Sequence, residues 1–237
     1  SNEDLAKLRN IDQLTQGRYK AQVLDITYPV TQGAAGCEAA IAALCEAADA
    51  AVAGGYNVLI LSDRAISRER AAIPALLACA GVHHHLVREG LRTSAGLVVD
   101  SGSARETHHF ALLAGYGAEA VCPWLAFETV DALASTLPAG PTCKETNKRY
   151  IKAINKGLLK VMSKMGISTY QSYCGAQIFE AVGLNAGFIT QYFTGTATQI
   201  EGIGLHEIAE ETVRTHQSAF GDDPVLSNAL EAGGEYA

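Results

Sequence analysis

Short apolar runs separated by alanine-rich stretches of helical length fill the first two-thirds of this chain, and they constrain its fold more than any other feature. Residues 56–62, Tyr-Asn-Val-Leu-Ile-Leu-Ser, and 96–100, Gly-Leu-Val-Val-Asp, are almost continuously apolar, as expected of strands covered on both faces. Residues 21–28 and 118–122 read as two more strands, the second stopped by Pro123. Helices are predicted over 36–53, 68–90, 104–115 and 126–137, with Pro74 early enough in the second to be a first-turn or kink residue. Strands spaced by such helices pair in parallel through βαβ crossovers. The expected class is therefore α/β, built as a half-barrel-like or open sheet, with a mainly helical C-terminal segment.

Pro138-Ala-Gly-Pro141 ends the last of these helices and is the best linker. It divides the chain into an α/β unit over 1–137, a linker over 138–143 and a mainly helical segment over 144–237. The long helix predicted over 144–165 carries Ile151, Ile154, Leu158, Val161, Met162 and Met165 on one face, and Gly166 supplies its left-handed stop. Lys148, Lys152, Lys156, Lys160 and Lys164 recur along another face. They read either as a contact for phosphate or an acidic partner or as a solvated face, the commoner use of such a stripe. Beyond it, a strand is predicted at 167–170, a Gly/Thr-rich loop at 194–198, a helix at 205–219 and a loop-like tail from 221.

With 48% apolar and 18% charged residues, the chain can bury a sizeable core and is not a disordered sequence. A net charge of -7 argues against a nucleic-acid surface. No apolar run reaches the roughly 20 residues that cross a bilayer. Ser1-Asn2-Glu3-Asp4 lacks the basic and apolar regions of a signal peptide, so a cytoplasmic location is expected. Ser-Asn reads as a scar of tag removal, with both ends cut from something longer. Cys37, Cys45, Cys79, Cys122, Cys143 and Cys174 form no C-x-x-C pair, which fits reduced structural thiols and neither a metal nor an iron–sulfur site.

The chemistry-bearing side chains are few. Asp25, Asp63 and Asp100 fall at or near the carboxyl ends of the first three strands, where parallel sheets host ligands, yet aspartate there also caps the following helix or serves a turn, the favoured reading. His83-His84-His85 and His108-His109 lie within helical stretches; neighbours on a helix point about 100° apart and cannot chelate as a set, so they read as core or boundary histidines. No G-x-S-x-G elbow and no glycine-rich phosphate loop is present. Gly202-Ile-Gly204 precedes a helix, a common feature that is nonspecific for anions. No catalytic residue and no metal site is expected.

Three stretches carry a resemblance that covers essentially the whole chain. They are Leu24-Asp-Ile-Thr-Tyr-Pro-Val30 with residues 54–64, residues 82–92 with 108–117 and 123–128, and residues 150–169 with 175–184, 193–196 and 202–205. Together they resemble the large subunit of bacterial glutamate synthase. The resemblance implies a central α/β segment between a glutamine amidotransferase domain and an FMN barrel bearing a 3Fe–4S cluster, followed by a β-helix. It implies a parent activity in which ammonia from L-glutamine travels through a tunnel and joins 2-oxoglutarate, the 2-iminoglutarate being reduced by FMN to L-glutamate. Electrons come from NADPH through a small partner subunit, or from ferredoxin in a related class; the ending Gly233-Gly-Glu-Tyr-Ala237 looks more like the pyridine-nucleotide class.

The implied role of the chain itself is that of an inactive structural and channelling segment, holding no cofactor of its own. Gly166, Ser168, Thr169 and Gln171 form the one turn that the resemblance brings near the cofactor or tunnel wall, although a structural role is the favoured reading. Cys174 stands where the motif leads one to expect a basic residue. Docking of the 144–165 helix on neighbouring domains would leave its apolar face partly open in this chain and promote self-association. Two other readings stay open: a free-standing domain that binds a small ligand or metal, and a partial flavin-binding unit.

Overall fold

The computed structural model describes residues 1–136 and 140–221, with no account of the side chains of residues 135 and 136. In chain order its first part runs α1 (Asn2–Arg9), α2 (Ile11–Leu14), β1 (Ala21–Asp25), β2 (Thr27–Pro29), α3 (Gly33–Ala53), β3 (Val58–Ser62), β4 (Arg70–Ala72) and α4 (Ala75–Arg88). It continues with β5 (Gly96–Asp100), α5 (Thr107–Gly115), β6 (Ala118–Cys122) and α6 (Trp124–Thr136). The rest is α7 (Cys143–Lys164), α8 (Tyr170–Tyr173), β7 (Glu180–Leu184), α9 (Ala186–Tyr192), β8 (Ala197–Ile203) and α10 (Leu205–Phe220). No helix among the described residues is long and apolar enough to cross a membrane.

The apolar runs become a parallel sheet of order β1-β3-β5-β6, the α/β class expected. The two central strands bury both faces, which is why they carry no polar alternation. Leu59, Leu61, Leu97 and Val99 join the main core with Cys37, Ile41 and Leu44 of α3 and Leu77, Val82 and Leu86 of α4. Ile60 and Val98 point to the opposite face and meet Leu5 of α1, Cys122 and Phe127. The register aligns Val23, Ile60, Val98 and Ala120 across this second face, with Asp25, Ser62, Asp100 and Cys122 one pleat further toward the carboxyl ends. Helix α1, which the sequence reading does not contain, covers the middle of that face. Its start is closed by a capping box between Ser1 and Asp4.

Two departures from expectation have a common cause. The strand read over 21–28 breaks after Asp25, and its second half, β2, leaves the sheet to pair antiparallel with β4. Strand β4 lies inside the helix predicted over 68–90. Pro74 supplies no N–H, and its ring holds the preceding Ile73 in extended backbone, so Ile73 bonds to the Ile26 carbonyl at 2.8 Å and the helix starts only at Ala75. Pro138 and Ala139 of the predicted linker, and the tail from 222, lie outside the described residues.

The C-terminal part is less helical than expected. Thr142 caps α7 by accepting from the Glu145 N–H, and α7 packs its apolar face on α5 and α6, burying Ile154 and Met162 while Leu159 and Met165 stay exposed. The strand predicted at 167–170 is instead the entry to α8, because the Thr169 hydroxyl caps that turn. The loop predicted at 194–198 leads into β8, which pairs in parallel with β7 across two register irregularities near Gly183. Both strands are largely exposed, so no apolar alternation announces them. Helix α10 then returns to the start of the chain, packs on α3 and hydrogen-bonds His216 Nε2 to the Ser67 carbonyl at 2.7 Å.

Candidate functional site

The carboxyl-end rim of the parallel sheet gathers the polar groups with the most unusual surroundings. Asp100 closes β5 and has 0% exposure, although it carries a carboxyl group. Its Oδ2 accepts from Ser62 Oγ at 2.9 Å, Arg64 Nε at 2.8 Å and Arg9 Nη2 at 2.9 Å, whereas the buried Oδ1 has no partner. The Arg64 guanidinium lies 5.3 Å from the Trp124 ring centroid and also donates to Asn2 Oδ1 at 2.8 Å. Asp63 is buried beside it and accepts from the Gly102 N–H, from Ser101 Oγ at 2.8 Å and from Trp124 Nε1 at 2.6 Å. Burial raises the Asp63 carboxyl above its ordinary range, against those bonds, which lower it. Asp25 accepts from the Thr27 N–H and hydroxyl and from Arg70 Nη2 at 3.1 Å.

The three aspartates thus share one rim, as their positions suggested, but none caps the helix that follows its strand. The positions before α3, α4 and α5 are Gln32, Pro74 and Glu106. A carboxylate surrounded by fixed internal donors holds loops and helices in place. Among the described residues, no three His, Cys, Asp or Glu side chains converge to hold a metal ion. Sequence reasoning missed Arg9, Arg64 and Trp124, which come from elements brought together only by the sheet register.

The histidines separate as helix geometry requires. His83 Nδ1 accepts from Arg92 Nε at 3.0 Å; His84 Nε2 meets Gln177 Nε2 at 2.9 Å; His85 Nε2 meets Asp49 Oδ2 at 2.8 Å. Burial, with help from Arg92 for His83 and Arg88 for His84, pushes both imidazoles down to about 4. His108 is exposed, edge-on to Phe179, while His109 Nδ1 accepts from the Arg105 N–H. Tyr116 bonds Thr196 at 2.6 Å and packs on Phe179 and Phe193. With the His84–Gln177 bond, this cluster fastens the β7–α9 region to α4 and α5.

The turn after α7 does not gather its four candidates at one point. Gly166 takes φ 71° to end the helix, Thr169 caps α8, and Gln171 is exposed. Ser168 alone lines a cavity of about 540 Å³ between edge strand β6 and α7, with Glu119, Val121, Phe127, Leu158 and Tyr170. No Lys or Arg lines it. The Cys174 thiol bonds to the Ala118 carbonyl at 3.6 Å.

The family described as the glutamate synthase central domain matches residues 1–185. "Glutamate synthase [NADH]" of Schizosaccharomyces pombe is 44% identical over 223 residues, covering 93% of this chain and 10% of the relative. "Glutamate synthase [NADPH] large chain" of Bacillus subtilis is 48% identical over 189 residues, covering 80% of this chain and 12% of the relative. "Ferredoxin-dependent glutamate synthase 2, chloroplastic" of Arabidopsis thaliana is 44% identical over 236 residues, covering 92% and 14%. The chain spans 10–14% of the length of these curated relatives.

Proposed function

This chain belongs to the glutamate synthase central-domain family, and we propose from that membership that it is a structural and channelling segment of a longer glutamate synthase. In this reading the longer enzyme makes L-glutamate from L-glutamine and 2-oxoglutarate. Amidotransferase and flavin domains of the same subunit flank the segment, and a small subunit feeds in electrons from NADPH. The observation that carries the reading is the rim. Where a parallel sheet would offer a substrate site, Asp63 and Asp100 already accept from Gly102, Ser101, Trp124, Ser62, Arg64 and Arg9. Side chains locked in this way fix the spacing of whatever is attached at either end. A dry, rigid wall also keeps ammonia from the water that would protonate it.

The residues do not fit the parent's cofactors. An FMN phosphate placed at the Ser168 cavity would meet Glu119 and no lysine or arginine. An iron–sulfur cluster needs several thiolates converging on one point, yet among the described residues no three His, Cys, Asp or Glu side chains do so. We therefore assign FMN and the 3Fe–4S cluster to other parts of the longer enzyme. The test is an absorbance scan of the purified chain, mixed with FMN and then desalted. The expected result is no retained flavin band. Stoichiometric flavin, lost on Ser168→Tyr, would overturn the assignment and make the cavity the site.

A further inference from the structure

We infer that the outer face of α7 is a docking surface for an acidic protein surface. The inference stands on the charge pattern of the helix and is independent of the family reading. Seven cations and one acid leave α7 at +6, although the whole chain carries -7. Lys144, Lys148, Lys152, Lys156, Lys160 and Lys164 are all exposed and recur every fourth residue, a row of roughly 30 Å that winds about 40° per step. Lys144 and Lys148 therefore border the groove holding Glu3, Asp4 and Asp131, while Lys152, Lys156 and Lys160 form the outward ridge.

Two observations set this ridge apart from an ordinary solvated face. First, a stable solvated helix intersperses acids so that neighbours four apart attract. Here each lysine faces another lysine one turn on, and each such pair repels. The sole acid, Glu145, pairs with Arg149, and among the described residues none of the six lysines lies within ion-pair distance of a carboxylate. Second, an exposed apolar side chain borders the ridge: Leu159 is 63% exposed, three residues after Lys156 and on its flank. Apolar and cationic groups side by side are complemented by a protein surface that carries apolar and acidic groups together. The orientation is fixed, because Ile154 and Met162 are buried on the opposite side and Gly157 seats directly on Thr107.

The charge balance selects the partner. A nucleic acid or an anionic membrane extends beyond the ridge and would meet the carboxylates that make the rest of the chain acidic. A discrete acidic helix face of matching length pairs with the ridge and stops there.

The probe is a fluorescein-labelled helical peptide with glutamate at every fourth position, titrated into the chain at low salt and read by anisotropy. Reversing Lys148, Lys152, Lys156 and Lys160 to Glu is expected to weaken binding by about tenfold or more, and added salt to weaken binding to the parent chain. Two control variants should bind like the parent: the same charge change at exposed Lys7, Arg18, Lys20 and Arg214, and Arg at the four ridge positions. Should the reversed variant fail to fold by circular dichroism, the four Gln substitutions replace it, with a loss of about threefold expected. Equal losses in the ridge and control variants would overturn the proposal. Tighter binding to duplex DNA or to phosphatidylserine vesicles than to the peptide would do so as well.

Discussion

Replacing Asp100 with alanine tests whether the rim is a structural clamp. The change removes the acceptor of three hydrogen bonds of 2.8–2.9 Å. Arg9 and Arg64 keep 37% and 33% side-chain exposure, so they rehydrate, and each lost pair costs about 0–1 kcal/mol. Ser62 has no such escape at 5% exposure: its oxygen still accepts from the Arg64 N–H, but its O–H loses its acceptor at a cost of about 1–3 kcal/mol. Loss of the unpaired Oδ1 offsets part of this. The expected net effect is about 2 kcal/mol, or roughly 4–8 °C in melting temperature for a domain of this size. Asp100→Asn keeps an acceptor in place and should cost about half as much. Urea unfolding gives the magnitude, and hydrogen exchange shows where it acts. Helix α1 should lose protection before the central strands, because Arg9 ties it directly to Asp100 and Asn2 ties it there through Arg64. If Asp100→Ala unfolds within about 0.5 kcal/mol of the parent and the α1 amides stay protected, the clamp argument is wrong.

Two further experiments follow from the geometry. Gly117 has φ 103° and its missing Cβ would overlap the His83 ring, whereas Gly55 has φ 81° with open space around it. Gly55→Ala should therefore cost only the backbone penalty of about 1–2 kcal/mol, and Gly117→Ala about 1–3 kcal/mol more, as read by denaturant midpoints. His83 and His84 stay neutral in the folded chain down to about 4, against an ordinary value of 6.5. The unfolded chain thus binds protons first. Stability is complete above about pH 6.5 and falls as pH drops toward 4, with a limiting slope of about 1.4 kcal/mol per pH unit for each histidine. His84→Gln should remove one histidine's share of that slope; an unchanged profile would mean His84 is already charged when folded.

The legible parts of this fold are those where one physical signal acts alone. Strands β3 and β5 bury both faces, so Leu59, Ile60 and Leu61, or Leu97, Val98 and Val99, announce themselves without partners. The amphipathic α7 is legible for the same reason. Strand β4 is different: Arg70, Ala71 and Ala72 show no period, and the informative residues are the Ile73-Pro74 step that follows. Strands β7 and β8 are hidden because Val182 and Ile200 are exposed and Gly183 breaks the alternation. At the rim, strand-end positions reveal Asp63 and Asp100, but not what they bind. Arg9 is 91 residues from Asp100, and Trp124 is 61 from Asp63. The three neighbouring histidines could be sorted from helix geometry, whereas Gln177, 93 residues from His84, could not.

The hydrogen bond from His216 to the Ser67 carbonyl joins groups 149 residues apart. On a ribosome adding about 5–20 residues per second, Ser67 and the face of α3 that α10 covers wait roughly 7–30 s after synthesis for their lid. Throughout that interval the nascent chain displays an alanine-rich helical surface to other unfinished proteins. The hazard during birth is therefore set less by the parallel sheet, whose strands are complete by Cys122, than by α10, the last of the described helices to emerge.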